Sequence, residues 1–140
     1  SQVEIATSLN NTLQVIFGKS ARNTGVYQVA NIKFSIDGQD NCVPEKSLAA
    51  GGGGEDECKP VIWGFAIYTG GLAKFNAGCD PHVVMTDDNG AVLFDGILPG
   101  GATYFRVYGH GKLVITVDGG GKSLTWNVGI SNAPLSVKQL

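Results

Sequence analysis

VVMTDDNGAVLFDGILPGGATYFRV, residues 83 to 107, spells out strand, tight turn, strand, short loop and strand. Asp88-Asn89-Gly90 supplies residues that tolerate positive φ, which a short hairpin connection requires. Around that turn the apolar residues alternate, with Val92 and Phe94 expected on one side and Ala91 and Leu93 on the other. Leu98-Pro99-Gly100-Gly101 then redirects the chain before Tyr104, Arg106 and Tyr108 alternate with Thr103, Phe105 and Val107. The pattern predicts an all-β, antiparallel two-sheet sandwich and favours a module that holds or binds over a catalyst.

The same period of two runs outward from this stretch. Trp63, Phe65 and Ile67 alternate along 60 to 68, Leu113, Ile115 and Val117 along 112 to 117, and Leu124, Trp126, Val128 and Ile130 along 123 to 130. Val26 to Ile36 reads as one long strand with Ala30, Ile32, Phe34 and Ile36 on one face. Pro134 to Lys138 fits an edge strand, with proline first, where its missing N–H matters least. Eight or nine strands are expected, enough for two packed sheets. The N-terminus stays open between two readings. Ile5, Leu9, Leu13 and Ile16 make a helical stripe, whereas strands at about 3 to 7 and 12 to 17 fit Asn10-Asn11-Thr12 and Gly18 better.

At 140 residues the chain predicts one domain over 1–140, with its core from 26 to 138. Charged residues are 16%, below the average of about 25%. With a net charge of −2 and ten scattered Lys and Arg, a nucleic-acid footprint is not expected. No apolar run reaches the roughly 18 residues that span a bilayer. The chain begins at Ser1 without Met, consistent with a processed or excised fragment.

Cys42 and Cys58 flank the glycine-rich segment around Gly51 to Gly54, and a disulfide between them would close that loop. Closure would restrict the unfolded chain by about 3 kcal/mol. Pairing of either with Cys79, or three reduced thiols, remains open. A disulfide would favour an oxidising, extracellular setting. No Cys-x-x-Cys or paired-His spacing suggests zinc.

Chemistry-bearing motifs are sparse. Gly121-Lys122-Ser123 lacks the upstream glycine of a phosphate loop, since that position is Thr116. Gly18-Lys19-Ser20 has Leu13 there and fails in the same way. Asp87-Asp88-Asn89-Gly90 resembles part of a calcium loop without its distal Glu. Asp87, Asp88 and Asp95 are therefore the weak candidates for a surface calcium ion, and no other cofactor is expected. His82 and His110 lie far apart, no nucleophile elbow is present, and no enzymatic role is expected. Trp63 and Trp126 fall in apolar-periodic strands and are expected in the core. Tyr68, Tyr104 and Tyr108 are better placed for exposure, as a sugar-stacking surface would need. Asn76, Asp80 and His82 offer polar groups from a loop read at Lys74 to His82. Asn10-Asn11-Thr12 is a glycosylation sequon, meaningful only in a eukaryotic secretory setting.

The order of elements resembles a transthyretin-like (prealbumin-like) sandwich, of the CnaB-type and carboxypeptidase regulatory-like kind. The resemblance rests on Ile32-Lys33-Phe34-Ser35 with Asp37-Gly38, on Tyr68-Thr69-Gly70-Gly71, and on the run from Thr86 to Gly100 ending in Leu98-Pro99-Gly100. It covers roughly residues 30 to 130. It implies a candidate isopeptide bond between Lys33 and Asn127, although 63 to 67 lacks the carboxylate that such a bond uses. The C-terminal Tyr-Arg-Gly-Ser signature of the metabolic-enzyme branch is absent.

The expected role is a secreted, cell-surface or virion-borne structural or adhesive module. A pilus, an appendage or a phage virion would suit it, with loops at Asn41 to Pro60 and Lys74 to His82 shown to a partner. Its partners would be protein subunits or a glycan, in a homo- or hetero-oligomer, without nucleic acid and without membrane insertion. The alternatives are a carbohydrate-binding, lectin-like module and the soluble part of a type IV pilin-like subunit.

Overall fold

The structure, a computed structural model, describes residues 4–7, 13–16, 22–29, 32–40, 60–118, 123–129 and 133–140. These residues form strands β1 (Glu4–Thr7), β2 (Leu13–Ile16), β3 (Arg22–Val29), β4 (Ile32–Asp40), β5 (Val61–Ile67) and β6 (Leu72–Gly78). They continue as β7 (His82–Thr86), β8 (Val92–Ile97), β9 (Gly101–Tyr108), β10 (His110–Val117), β11 (Ser123–Gly129) and β12 (Ser136–Gln139). A 3-10 turn, Thr69–Gly71, joins β5 to β6. Two six-stranded antiparallel sheets result, ordered β1-β2-β5-β6-β9-β12 and β3-β4-β11-β10-β7-β8. The all-β, two-sheet architecture is the one that period-two patterning predicts.

The twelve strands among the described residues exceed the eight or nine expected, for identifiable reasons. The described residues of the N-terminal stripe lie on two strands, with Ile5 paired to Val15 and Thr7 to Leu13. The single strand read at 26 to 36 is a hairpin, because Val29 pairs with Ile32 and Gln28 with Lys33. The loop read from Lys74 belongs to β6, which pairs with both β5 and β9. Its alternating residues include Ala73 and Ala77, small side chains whose apolar signal is weak although both are buried.

The core lies between the sheets. Phe65, Phe75 and Phe105 of the first sheet meet Val83, Met85, Leu113, Ile115 and Leu124 of the second, all at 0% exposure. Full burial of such side chains stabilises the fold by about 1.5–3 kcal/mol each. Phe105 is the aromatic hub: its ring lies edge-on to Phe75 at 5.7 Å and to Phe94 at 4.9 Å.

The chain passes between sheets at three tight places. Residues 79–81 lead from β6 to β7, residues 98–100 lead from β8 to β9, and Gly109 by itself leads from β9 to β10. Leu98-Pro99-Gly100 is therefore a crossing between sheets, and β8 and β9 are not ladder partners. Gly109 is buried at φ 88°, and a methyl group there would collide with the backbone of Ala133 and Pro134. The N–H of His110 donates to the carbonyl of Ala133 at 2.9 Å, which fixes the passing segment against the link.

Candidate functional site

Two regions gather the candidate residues, at the sheet crossings and on the outer face of the first sheet. At the crossings, Cys79 and Asp80 both adopt positive φ, 63° and 49°. Each such non-glycine residue carries a conformational cost of about 1–2 kcal/mol. The carboxylate Oδ1 of Asp80 accepts a hydrogen bond from the Gly100 N–H at 2.7 Å, and the Leu98 N–H donates to the Pro81 carbonyl at 3.0 Å. Together they latch one crossing to the other. His82 opens β7, where its N–H donates to Asp118 Oδ1 at 3.0 Å and its carbonyl accepts from the Asp118 N–H at 2.7 Å. The His82 ring donates through Nε2 to Asp95 Oδ1 at 2.6 Å, on open surface with the two side chains 45% and 58% exposed. Asp80 and His82, read from sequence as ligand-facing, hold the backbone and the β7–β8 pair.

The turn at the tip of β7 and β8 forms as the sequence indicates. The Gly90 N–H donates to the Asp87 carbonyl at 3.1 Å, and Asp87 Oδ1 accepts from the N–H groups of Asn89 and Ala91 at 2.9 Å each. Asp87 thus serves the turn, Asp88 is exposed beside it, and Asp95 pairs with His82 further down β8. The three calcium candidates are not brought together. Among the described residues no trio of His, Cys, Asp or Glu is arranged to hold a metal ion.

The tyrosines, in contrast, converge. Tyr104 and Tyr108 stand 40% and 49% exposed on β9, on the outer face, while Thr103, Phe105 and Val107 point inward. Arg106, half-buried, lies between them. Across the ladder Tyr104 is paired with Lys74, Arg106 with Leu72 on one side and Lys138 on the other, and Tyr108 with Ser136. The Tyr68 N–H donates to the Leu72 carbonyl at 2.8 Å, so Tyr68 extends the row Leu72–Arg106–Lys138. Asn76, half-buried on β6 beside Ala102, lies on the same face. Arg106 is held by a hydrogen bond of 3.1 Å from its Nη1 to the Gly70 carbonyl, and Gly70 adopts φ 81° in the 3-10 turn. Lys74, Arg106 and Lys138 were not among the residues singled out by sequence. The signal was there in their alternation with Phe75, Phe105 and Val137, but it becomes readable only once β6, β9 and β12 are known to be adjacent.

Other candidates stand apart. Trp63 is half-buried and outside the core cluster, at a register shift between Ile62 and Gly64. Its indole Nε1 is buried without a hydrogen-bond partner. The core position expected for Trp126 concerns a side chain outside the described residues. Cys79 is a free, half-buried thiol, and the Cys42–Cys58 pairing lies outside the described residues, as does the sequon. Lys33 and Asn127 lie on adjacent strands, each one step beyond the Phe34–Trp126 rung.

No family model, curated protein or solved structure matches this chain.

Proposed function

We infer that this chain is a non-enzymatic β-sandwich module of an extracellular assembly, joined to its neighbours through an open sheet edge. The observation that carries this reading is β8. It is the last strand of its sheet, and it exposes Val92 at 62% and Ile97 at 55%. Protective edges carry charges or proline. Within β8 the one charge, Asp95, is bound to His82, and proline is absent. Such an edge suits strand addition by a second copy.

Further support comes from Asp80, Asp87 and Asp95, which hold backbone and neighbour contacts where a hydrolytic pair would need them free. Kinship with CnaB-type modules belongs to the same reading, supported by the strand–turn–strand–Leu-Pro-Gly run that carries the chain between sheets. Location at a cell surface or virion follows from that kinship. Sedimentation velocity over a concentration series tests the proposal. The native chain should self-associate and Val92→Lys/Ile97→Lys should remain monomeric. A native chain that stays monomeric throughout would overturn it.

A further inference from the structure

We propose that the outer face of the first sheet, centred on Arg106, binds an acidic polysaccharide through its uronate carboxylates. This rests on a different sheet from the β8 edge and stands independently of the assembly reading.

Three cations share the outer face of the first sheet. The net charge is −2, yet Lys74, Arg106 and Lys138 occupy one face of β6, β9 and β12. Among the described residues Asp80, Asp87, Asp88, Asp95 and Asp118 lie at the crossings, the β7–β8 hairpin and the end of β10, and Asp37 and Asp40 lie on β4 of the second sheet. Among the described residues no ion pair engages the three cations, and the ion pair present is His82–Asp95. Glu4 is on β1, at the opposite edge of the sheet, four strands from β9.

The dimensions follow from sheet geometry. Strands lie about 4.8 Å apart and alternate residues about 6.8 Å apart, so the patch measures roughly 10 by 14 Å. Arg106 sits at its centre, between Tyr104 and Tyr108 along β9 and between Leu72 and Lys138 across the ladder. A guanidinium has five N–H donors, and its planar fork matches a carboxylate bidentately. One nitrogen is tied to Gly70, which fixes the group before any ligand arrives and lowers the ordering cost of binding. The tyrosines add flat apolar rings with polar tips, suited to the C–H faces of sugar rings.

The chemistry favours a glycan over other polyanions. On the face itself the backbone groups are spent in the ladder, so an extended acidic peptide could join only at the outer edge of β12, two strand spacings from Arg106. Nucleic acid gains affinity by neutralising densely spaced phosphates. Cations flanked by exposed tyrosine rings match a chain that carries both a carboxylate and an apolar ring face in each repeat, as a uronate polymer does.

The test is titration calorimetry of the full chain with polygalacturonate oligomers, beside neutral galactan oligomers, poly-glutamate and single-stranded DNA. Polygalacturonate should bind, and the three others should bind at least tenfold more weakly. Binding should weaken with salt. It should fall at least tenfold in Arg106→Gln and severalfold in Lys74→Gln/Lys138→Gln and in Tyr104→Ala. It should be unchanged in Lys112→Gln, an exposed cation of the other sheet. The double lysine variant keeps the test decisive if Arg106→Gln does not fold. No polygalacturonate binding, full binding by the Arg106 and double lysine variants, or equal binding of poly-glutamate or DNA would overturn the proposal. The monomeric Val92→Lys/Ile97→Lys variant should bind as the native chain does.

Discussion

The Asp80 carboxylate holds the N–H of Gly100 at 2.7 Å, joining two crossings that lead between the sheets in opposite directions. Asp80→Ala should therefore cost about 1.5–3 kcal/mol, the range for a hydrogen bond to a charged group. Asp80→Asn should recover most of that loss. Asparagine tolerates positive φ and its amide oxygen accepts the same bond. Urea unfolding followed by tryptophan fluorescence checks both, and an alanine variant as stable as the native chain would remove the latch.

Gly109 and Gly90 separate space from conformation, since both adopt φ 88°. A methyl group at Gly90 meets nothing within 4 Å, whereas at Gly109 it meets the Pro134 and Ala133 carbonyls. Gly90→Ala should cost about 1 kcal/mol from backbone conformation. Gly109→Ala should cost at least about 4 kcal/mol, or leave the chain unfolded, because backbone must move. Thermal unfolding by circular dichroism would show the gap, and similar midpoints for the two variants would refute it.

Phe105 and Phe94 make a matched comparison in the core. Phe105 is fully buried against both neighbouring rings, while Phe94 packs from the half-buried edge strand. Phe105→Ala should destabilise by about 3–5 kcal/mol. Phe94→Ala should cost less, because water can enter part of the space it leaves. The order of the two midpoints in denaturant decides the matter.

Lys33 and Asn127 sit on adjacent strands, yet β5 contributes no carboxylate between Val61 and Ile67. The intact mass of the purified chain should then equal that of the uncross-linked sequence. A mass lower by one ammonia, persisting after denaturation, would demonstrate the bond.

Most of the architecture could be read from the residues because burial in a sandwich imposes a period of two. The Asp87–Gly90 turn and the β12 edge strand form where turn chemistry and Pro134 suggest. Alternation failed on β8. Val92 and Phe94 were expected on one side, yet Val92 is exposed and Phe94 packs on the core, with Leu93 packed there too. A register shift between Met85 and Thr86 explains this, since Thr86 pairs with Val92 and Met85 with Phe94. A bulge of this kind leaves no mark on local periodicity. The tyrosine face was half legible. Tyr104 and Tyr108 are exposed as anticipated while Tyr68 is half-buried, and the cations beside them come from strands whose adjacency no local pattern records.

The one-residue passage at Gly109 also bears on ancestry. A position that excludes every side chain is a fixed point, so distant kin built on this path should keep glycine between two alternating segments even where all else has drifted. That signature, a lone glycine following a strand with aromatic residues on its outer side, gives a way to search for kin by shape when overall likeness has faded.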